Sequence, residues 1–191
     1  MAKISVILGS VREGRQGIKA AKFITKELEE RGHKVFLIDP IEYEIPLLKN
    51  KFQYLKDEEK TENLKKLQEI FNSSDGFVIV SAEYNHSVPP ALKNIVDYFM
   101  SEFSFKPSAI VTYSMGSFGG VRAMMQWRPI LAELGMPSIP TTFPIPNVHE
   151  AFDEEGNPKD EKYHERIKRF LDEFDWYIKT FKAGRENGIP H

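Results

Sequence analysis

The sequence predicts an α/β protein whose parallel sheet is covered by helices on both faces, a doubly wound sandwich. Along the 191 residues, five short apolar runs alternate with five segments of helical periodicity. The first four runs are continuously apolar, which is typical of strands buried on both faces of a parallel sheet. There is no internal repeat or interdomain linker, so residues 1–191 are expected to form a single domain.

The strands are predicted from the apolar runs. The runs are ISVIL at 4–8, KVFLID at 34–39, GFVIV at 76–80, SAIVTY at 108–113 and SIPTTFP at 138–144. The last run contains Pro140 and Pro144, and proline has no N–H to give to a sheet ladder. We therefore expect an edge strand there.

The helices are predicted from apolar residues three or four positions apart. The first pattern ends at Gly32, a suitable C-terminal cap, and the third begins at Pro89 and Pro90. The fourth contains Pro129, where we expect a bend, and the last runs from about 160 to 184. The apolar positions are Ala21, Ile24 and Leu28; Leu64, Leu67 and Phe71; Leu92, Ile95, Val96 and Phe99; Val121, Met124, Met125, Leu131 and Leu134; and Tyr163, Ile167, Phe170, Phe174, Ile178 and Phe181.

Composition excludes several classes of function. A net charge of −2, with basic and acidic residues interleaved, argues against nucleic acid or an anionic membrane surface as partner. The absence of cysteine excludes disulfides, thiolate metal sites and a cysteine nucleophile. The histidines are scattered and predict no metal site, and no apolar stretch approaches the roughly 20 residues that span a bilayer. We expect a cytoplasmic protein.

The segment 9–18, GSVREGRQGI, is the first connection from a strand to a helix. In open α/β sheets, ligands bind beyond the carboxyl ends of the strands. Glycines permit close approach of the backbone, and the start of a helix offers free N–H groups and partial positive charge. Arg12 and Arg15 add full charges. These features predict an anionic ligand.

Two phosphate-binding motifs do not fit this segment. Gly9 and Gly14 have the spacing of a Walker loop, but Arg15 and Gln16 stand where Lys and Ser or Thr are needed. A dinucleotide fingerprint requires a second glycine where the chain has Val11.

A monophosphate held by Ser10, Arg12 and backbone amides is the third interpretation. Asp39 ends the second strand as a ribose-binding acid would, although a turn residue is the simpler interpretation. The segment alone also allows a glycine-rich turn with solvated arginines.

Two further loops follow strands of the same sheet. SAEYNHSVPPALKN at 81–94 is polar and aromatic, and SMGSFGGVRA at 114–123 carries three glycines against which a planar ligand can lie. Both follow carboxyl ends of parallel strands, so they are expected to line the same crevice as Ser10 and Arg12. A phosphate site beside a flat polar slot indicates FMN.

The chain resembles the flavodoxin-like NAD(P)H-dependent FMN reductases, which include quinone, azo and chromate reductases. The resemblance covers the whole domain and rests on GSVR at 9–12, EYNHSVPPALKNIVDY at 83–98 and GSFGG at 116–120. It implies the strand order 2-1-3-4-5. The family commonly has proline before Glu-Tyr-Asn, whereas this chain has Ala82, which leaves the backbone of that loop less certain.

The resemblance also implies which residues hold FMN. Those implied for the phosphate are Ser10, Arg12, Gln16, Gly17 and Ile18. Those implied for the isoalloxazine ring are Ala82, Glu83, Tyr84, Asn85, Ser114, Gly116, Ser117, Gly119 and Gly120.

The function implied is an FMN-dependent oxidoreductase that passes hydride from NADPH or NADH through FMN to quinones, azo compounds, flavins or metal oxyanions. No catalytic side chain is expected, because the flavin carries the chemistry. A homodimer or homotetramer is implied. The alternative is a flavodoxin-type electron carrier or a flavin redox sensor without significant nicotinamide turnover. Such carriers are typically strongly acidic, and the net charge of −2 argues against that class.

Overall fold

A computed structural model describes residues 1–190 of the chain. Its five strands form one sheet, in which every neighbouring pair is parallel. The strands are β1 (Lys3–Leu8), β2 (Lys34–Ile38), β3 (Gly76–Ala82), β4 (Ser108–Tyr113) and β5 (Ser138–Ile145). Their order is β2-β1-β3-β4-β5, which is the flavodoxin-like order and confirms the predicted fold class.

Helices cover both faces of the sheet. They are α1 (Gly17–Glu30), α2 (Glu62–Ser73), α3 (Pro90–Asp97), α4 (Val121–Glu133), α5 (Val148–Ala151) and α6 (Lys162–Glu186). Apolar residues of α1 and α6 pack on one face, and those of α2, α3 and α4 pack on the other. No helix within residues 1–190 is both long enough and apolar enough to cross a membrane.

The central strand β3 explains why the apolar runs are continuous. All seven of its residues are buried. Val78 and Val80 pack against the α1 and α6 side, whereas Phe77 and Ile79 pack against the α2, α3 and α4 side. Successive strand residues point to opposite faces, so a strand with helices on both sides needs apolar residues at every position.

Strand β2 packs against the helix layers on both faces, but it is covered less completely than predicted. Val35, Phe36 and Leu37 are only partly buried, because β2 lies at one edge of the sheet and pairs with β1 alone. The run itself is as apolar as a central strand. β5 forms the opposite edge, as its two prolines predict.

Helix α4 buries part of the predicted face. Leu131 and Leu134 are buried as predicted and Met124 packs on the core, but Ala123 and Trp127 are buried as well, and Met125 is 64% exposed. Residues two positions apart point about 200° apart on a helix, so Met125 and Trp127 cannot both face the sheet. The Trp127 indole N–H donates to the Ser81 hydroxyl at 2.8 Å, which fixes the buried ring. Helix α5 was missed because four residues are too few to show a helical period.

The long segment 39–60 is tied to helix α3. It contains two short 3₁₀ turns, Phe52–Tyr54 and Asp57–Glu59, and the Phe52 ring is buried. The Asn94 side chain accepts from the Leu48 amide at 2.8 Å and donates to the Pro46 carbonyl at 2.9 Å. The segment therefore has a defined course although it is mostly irregular.

Candidate functional site

The loops after β1, β3 and β4 meet around a cavity of about 200 Å³ at the carboxyl edge of the sheet. Its walls are formed by Ser10, Arg12, Glu13, Gly14, Arg15, Gln16, Ala82, Glu83, Tyr84, Tyr113, Ser114, Met115 and Val148. The prediction that three strand-end loops share one crevice is thus confirmed.

The start of helix α1 carries free N–H groups beside this cavity. Within residues 1–190, the amides of Gln16, Gly17 and Ile18 have no hydrogen-bond acceptor, and no side chain caps the helix. A side chain on Gly17 would place its Cβ 2.0 Å from the Tyr113 hydroxyl oxygen. Only glycine therefore fits at the first position of this helix. Unpaired amides at a helix start are a ready binding site for an anion.

The Tyr113 hydroxyl is an unpaired donor in the cavity wall. Tyr113 is 5% exposed, and its hydroxyl oxygen has no hydrogen-bond partner in the described part of the chain. Burial, and secondarily the nearby Tyr84, raise the pKa of this phenol far above its ordinary value. The group is therefore protonated at neutral pH and is available as a donor. Buried polar groups are normally satisfied, so an unpaired one at a cavity indicates a missing ligand.

Ser10, Arg12 and Tyr84 form a connected group in the cavity wall. The hydroxyl oxygens of Ser10 and Tyr84 lie 2.7 Å apart. The Arg12 guanidinium lies over the Tyr84 ring, with its central carbon 3.8 Å from the ring centroid. Arg12 has no ion pair in residues 1–190 and is exposed, so its charge is available to an anionic ligand.

Arg15 does not offer a free charge, contrary to the sequence-based expectation. Its guanidinium forms a bidentate ion pair with Asp39, with one N–H···O distance of 2.6 Å, and also donates to the Ser10 carbonyl at 2.7 Å. Asp39 accepts the Ile41 amide at 3.0 Å, which confirms it as a turn residue. Its carboxylate accepts three hydrogen bonds within the chain and its side chain is only 5% exposed, which argues against a ribose-binding role.

The Glu83 side chain is bound to helix α4. Its carboxylate accepts from the amides of Arg122 at 2.9 Å and Ala123 at 3.3 Å, in the first turn of that helix. A carboxylate there is stabilised by the positive end of the helix dipole. Glu83 therefore joins the loop after β3 to the glycine-rich loop after β4.

The residues implied by the resemblance fall into three groups. Those that line the cavity are Ser10, Arg12, Gln16, Ala82, Glu83, Tyr84 and Ser114. Those outside its walls are Gly17 and Ile18 in the first turn of α1, and Asn85, Gly116 and Ser117, of which the last three are exposed. Gly119 and Gly120 are buried with φ of 64° and 80° and pack close to the backbone of β5 and β4, so the turn itself requires them.

Six residues of the cavity wall are not among those that the resemblance implies. They are Glu13, Gly14 and Arg15 in the segment after β1, and Tyr113, Met115 and Val148. Tyr113 is the last residue of β4, directly before the glycine-rich loop, and that position at the carboxyl edge is a signal that points to the site. Val148 begins the short helix α5, for which the sequence carries no clear pattern.

These features fit the phosphate of FMN. Tyr113, Arg12 and Gln16 line the cavity, and the free amides of Gly17 and Ile18 follow directly in the first turn of α1. A phosphate monoester accepts several hydrogen bonds and carries negative charge, so it matches these donors. We find no group of His, Asp or Glu side chains in residues 1–190 with the arrangement of a metal site.

Comparison with known proteins agrees with this geometry. A quinone reductase from Pseudomonas putida is 30% identical over 188 residues, which cover 94% of this chain and 96% of that protein. An NADPH azoreductase from Bacillus sp. (strain OY1-2) is 28% identical over 181 residues, 94% of each chain. The solved structure of the flavoenzyme NAD(P)H:(acceptor) oxidoreductase FerB from Paracoccus denitrificans superimposes with a TM-score of 0.78 at 23% identity, covering 95% of this chain and 99% of that one.

The sequence model of the family described as NADPH-dependent FMN reductase matches residues 2–150, and the resemblance inferred from the motifs is thereby confirmed. The chain therefore belongs to the family of NADPH-dependent FMN reductases, enzymes that use FMN as cofactor with NADPH or NADH as reductant.

Proposed function

We propose that this protein takes hydride from NADPH or NADH and passes the electrons, through FMN held in the cavity, to quinones and related small acceptors. One observation carries the proposal: Arg12, the unpaired Tyr113 hydroxyl and Gln16, whose amide is free, all line one cavity formed by three strand-end loops, and the free amides of α1 follow Gln16 directly. That combination suits a ligand with a phosphate at one end and a polar ring at the other.

The residues that would hold FMN follow from their positions. Ser10, Arg12 and the amides of residues 16–18 would hold the phosphate, with Tyr113 as a further donor beside them. The loop of residues 82–85 and the loop from Ser114 to Gly120 would lie against the ring. Because Gly119 and Gly120 are buried, we assign their role to the shape of the second loop rather than to direct contact.

FMN, when bound, supplies the hydride and electron-transfer chemistry. Over the full reaction the nicotinamide loses a hydride, and a quinone gains two electrons and two protons, the second of which comes from solvent. The chain itself binds, orients and shields. Glu83 is held by two amides of α4, and Tyr113 is protonated, so we assign no side chain as a catalytic acid or base.

We include oligomeric state and location in the proposal. Three apolar side chains are 60–64% exposed: Met115 in the cavity wall, Phe118 in the same loop and Met125 in α4. Exposed apolar side chains can mark contact surfaces, which supports a homodimer or homotetramer. Light scattering of the purified protein tests this point. A cytoplasmic location is expected for an enzyme that consumes NADPH.

The decisive experiment follows the flavin absorbance of the purified protein. The protein is loaded with FMN, mixed with NADPH under anaerobic conditions, and then mixed with a quinone. Loss of the oxidised flavin band with NADPH, and its return with the quinone, is the expected result. FMN that binds but stays oxidised would indicate the electron carrier or redox sensor instead. A protein that takes up no FMN would overturn the whole proposal.

A parallel comparison of NADPH with NADH, across a quinone, an azo dye, free flavin and chromate, measures kcat/KM for each pair. The reductant and acceptor with the highest value identify the preferred reaction. We expect a quinone to rank first.

A further inference from the structure

We propose that Asp39 is a positioning residue that holds Arg15 on the Ser10 carbonyl and thereby sets the preference of the site for FMN over riboflavin. The inference rests on the proposed FMN site. Asp39 does not line the cavity, and none of the motifs behind the resemblance includes it.

The first argument is the geometry of the Arg15 guanidinium. One terminal nitrogen donates to the Ser10 carbonyl at 2.7 Å and to Asp39 Oδ1 at 2.6 Å, and the other donates to Asp39 Oδ2. The side chains of Arg15 and Asp39 are only 14% and 5% exposed. A planar guanidinium bound to both carboxylate oxygens has little rotational freedom, so the Ser10 carbonyl is held in a fixed place.

The second argument is that Asp39 is anchored to the sheet. It follows β2 directly, its carboxylate accepts the Ile41 amide at 3.0 Å, and its carbonyl accepts the Tyr43 amide at 2.9 Å. The binding loop has weaker support of its own. Within it, the Arg15 amide donates to the Arg12 carbonyl at 3.2 Å, the Arg12 amide lies 3.5 Å from the Ser10 hydroxyl, and the exposed Gln16 side chain donates to the Gly14 carbonyl at 2.9 Å. Residues 11–14 are exposed. The ion pair therefore connects a lightly supported loop to a rigid strand end.

The third argument concerns the sign of the electrostatic effect. Asp39 is an anion close to a loop that we propose binds a phosphate. If its charge alone mattered, removing it would free Arg15 and strengthen the binding of FMN. If its position matters, removing it releases Ser10 and weakens the binding of FMN. The two explanations predict opposite changes, so one measurement separates them.

The experiment compares FMN with riboflavin, which has the same ring and side chain but no phosphate. Asp39→Asn keeps an acceptor for the Ile41 amide but removes the bidentate pair. Arg15→Lys keeps the charge, but an ammonium group cannot reach the Ser10 carbonyl and both carboxylate oxygens as a guanidinium fork does. Dissociation constants for both ligands are measured by quenching of flavin fluorescence, and thermal unfolding verifies that each variant is folded.

We expect each variant to raise the FMN dissociation constant about tenfold, which is the lower end of the effect that losing a supporting hydrogen bond has at metal sites. The riboflavin constant should not change. The matched control is Asp75→Asn. Asp75 also binds an arginine, Arg185, and a backbone amide, that of Lys3, but it precedes β3 and so lies at the opposite end of the sheet. It should change neither constant.

Four results would overturn the inference. Tighter binding of FMN to Asp39→Asn would show that the charge of Asp39 matters rather than its position. Unchanged binding would show that Asp39 has no influence on FMN. Equal weakening of FMN and riboflavin would show general damage to the cavity. Unaltered protein that binds riboflavin as tightly as FMN would refute the phosphate site of the proposed function, and the positioning role with it.

Discussion

The hydroxyl oxygens of Ser10 and Tyr84 lie 2.7 Å apart, so a single contact joins the loop after β1 to the loop after β3. The Tyr84 backbone is itself held by reciprocal hydrogen bonds with Ser87, at 3.0 and 2.9 Å. Its ring also supports the Arg12 guanidinium. One phenol thus positions two of the residues that we assign to the phosphate.

Replacing Tyr84 with phenylalanine separates the contact of its hydroxyl with Ser10 from the contact of its ring with Arg12. Tyr84→Phe keeps a ring for Arg12 but removes the bond to Ser10, so we expect FMN binding to weaken by about 1 kcal/mol. Fluorescence titration with FMN measures it. The control is Ser87→Ala, in the same loop as Tyr84. It removes an exposed hydrogen bond to the Gln126 side chain and should have no effect on FMN binding. Equal losses in both variants would contradict a specific role for the phenol.

Arg12→Ala should weaken FMN binding more than it slows turnover of protein that is already loaded. A charge-assisted hydrogen bond to phosphate contributes about 1.5–3 kcal/mol, whereas the reacting ring lies at the other end of the ligand. Arg12→Lys keeps the charge and should show an intermediate affinity. The FMN dissociation constant and the rate of flavin reduction by NADPH are measured on the same preparations. An unchanged FMN affinity in Arg12→Ala would refute the phosphate assignment.

Gly17→Ala should destabilise the protein although alanine normally favours helices. The added Cβ would meet the Tyr113 hydroxyl at 2.0 Å, and overpacking of this kind costs about 1–3 kcal/mol. Urea unfolding measures the change in the free energy of unfolding. Gly116→Ala is the matched control, because a Cβ there meets nothing within 4 Å. The close contact would be disproved if the two variants were equally stable.

The fold could be predicted from the sequence because strands that are buried on both faces appear as continuous apolar runs. A parallel strand between two helix layers needs apolar residues at each position, and β3 and β4 show this without interruption. The apolar pattern overestimates burial at β2, whose apolar residues are mostly only partly buried at the sheet edge. The pattern also overestimates burial at Met125, because α4 has more apolar residues than its buried face can hold.

The location of the site was predictable, but its internal bonding was not. Strand ends in a parallel sheet meet at one edge, so three loops could be placed together from their order alone. Arg15 and Asp39 are separated by 24 positions in the sequence. Glu83 and the α4 residues that it binds are separated by 39 positions or more. Such bonds depend on the direction of each side chain in three dimensions, which local spacing does not encode.

Asp75 should make stability depend on pH in the acid range. Burial by itself would raise the pKa of this carboxyl, but the Lys3 amide and the charges of Lys182 and Arg185 together lower it below the ordinary 3.8. Because the folded state holds the proton less tightly, this contribution is present above pH 3.8 and is lost as the pH falls through the lowered pKa. Urea unfolding across this range should show a flatter profile for Asp75→Asn than for Glu58→Gln, which alters an exposed carboxylate. Parallel profiles would contradict the assignment.

Glu83 should matter both to stability and to the flavin, because it begins α4 and also belongs to the loop after β3. Glu83→Ala removes the acceptor for two amides of α4 and should lower the free energy of unfolding by about 1 kcal/mol. Thr61→Ala is the matched control, since the Thr61 hydroxyl accepts the Leu64 amide at the start of α2, on a helix that does not line the cavity.

Both variants should therefore lose stability, as measured by urea unfolding, but only Glu83→Ala should lose affinity for FMN and riboflavin alike. Its loss should extend to riboflavin because Glu83 supports the loops that we place against the ring, far from the phosphate. Glu83→Gln, which keeps one acceptor oxygen, should fall between Glu83→Ala and the unaltered protein in both measurements. If the Thr61 and Glu83 variants lost flavin equally, the effect would reflect general destabilisation, and the link between the two loops would carry no role in binding.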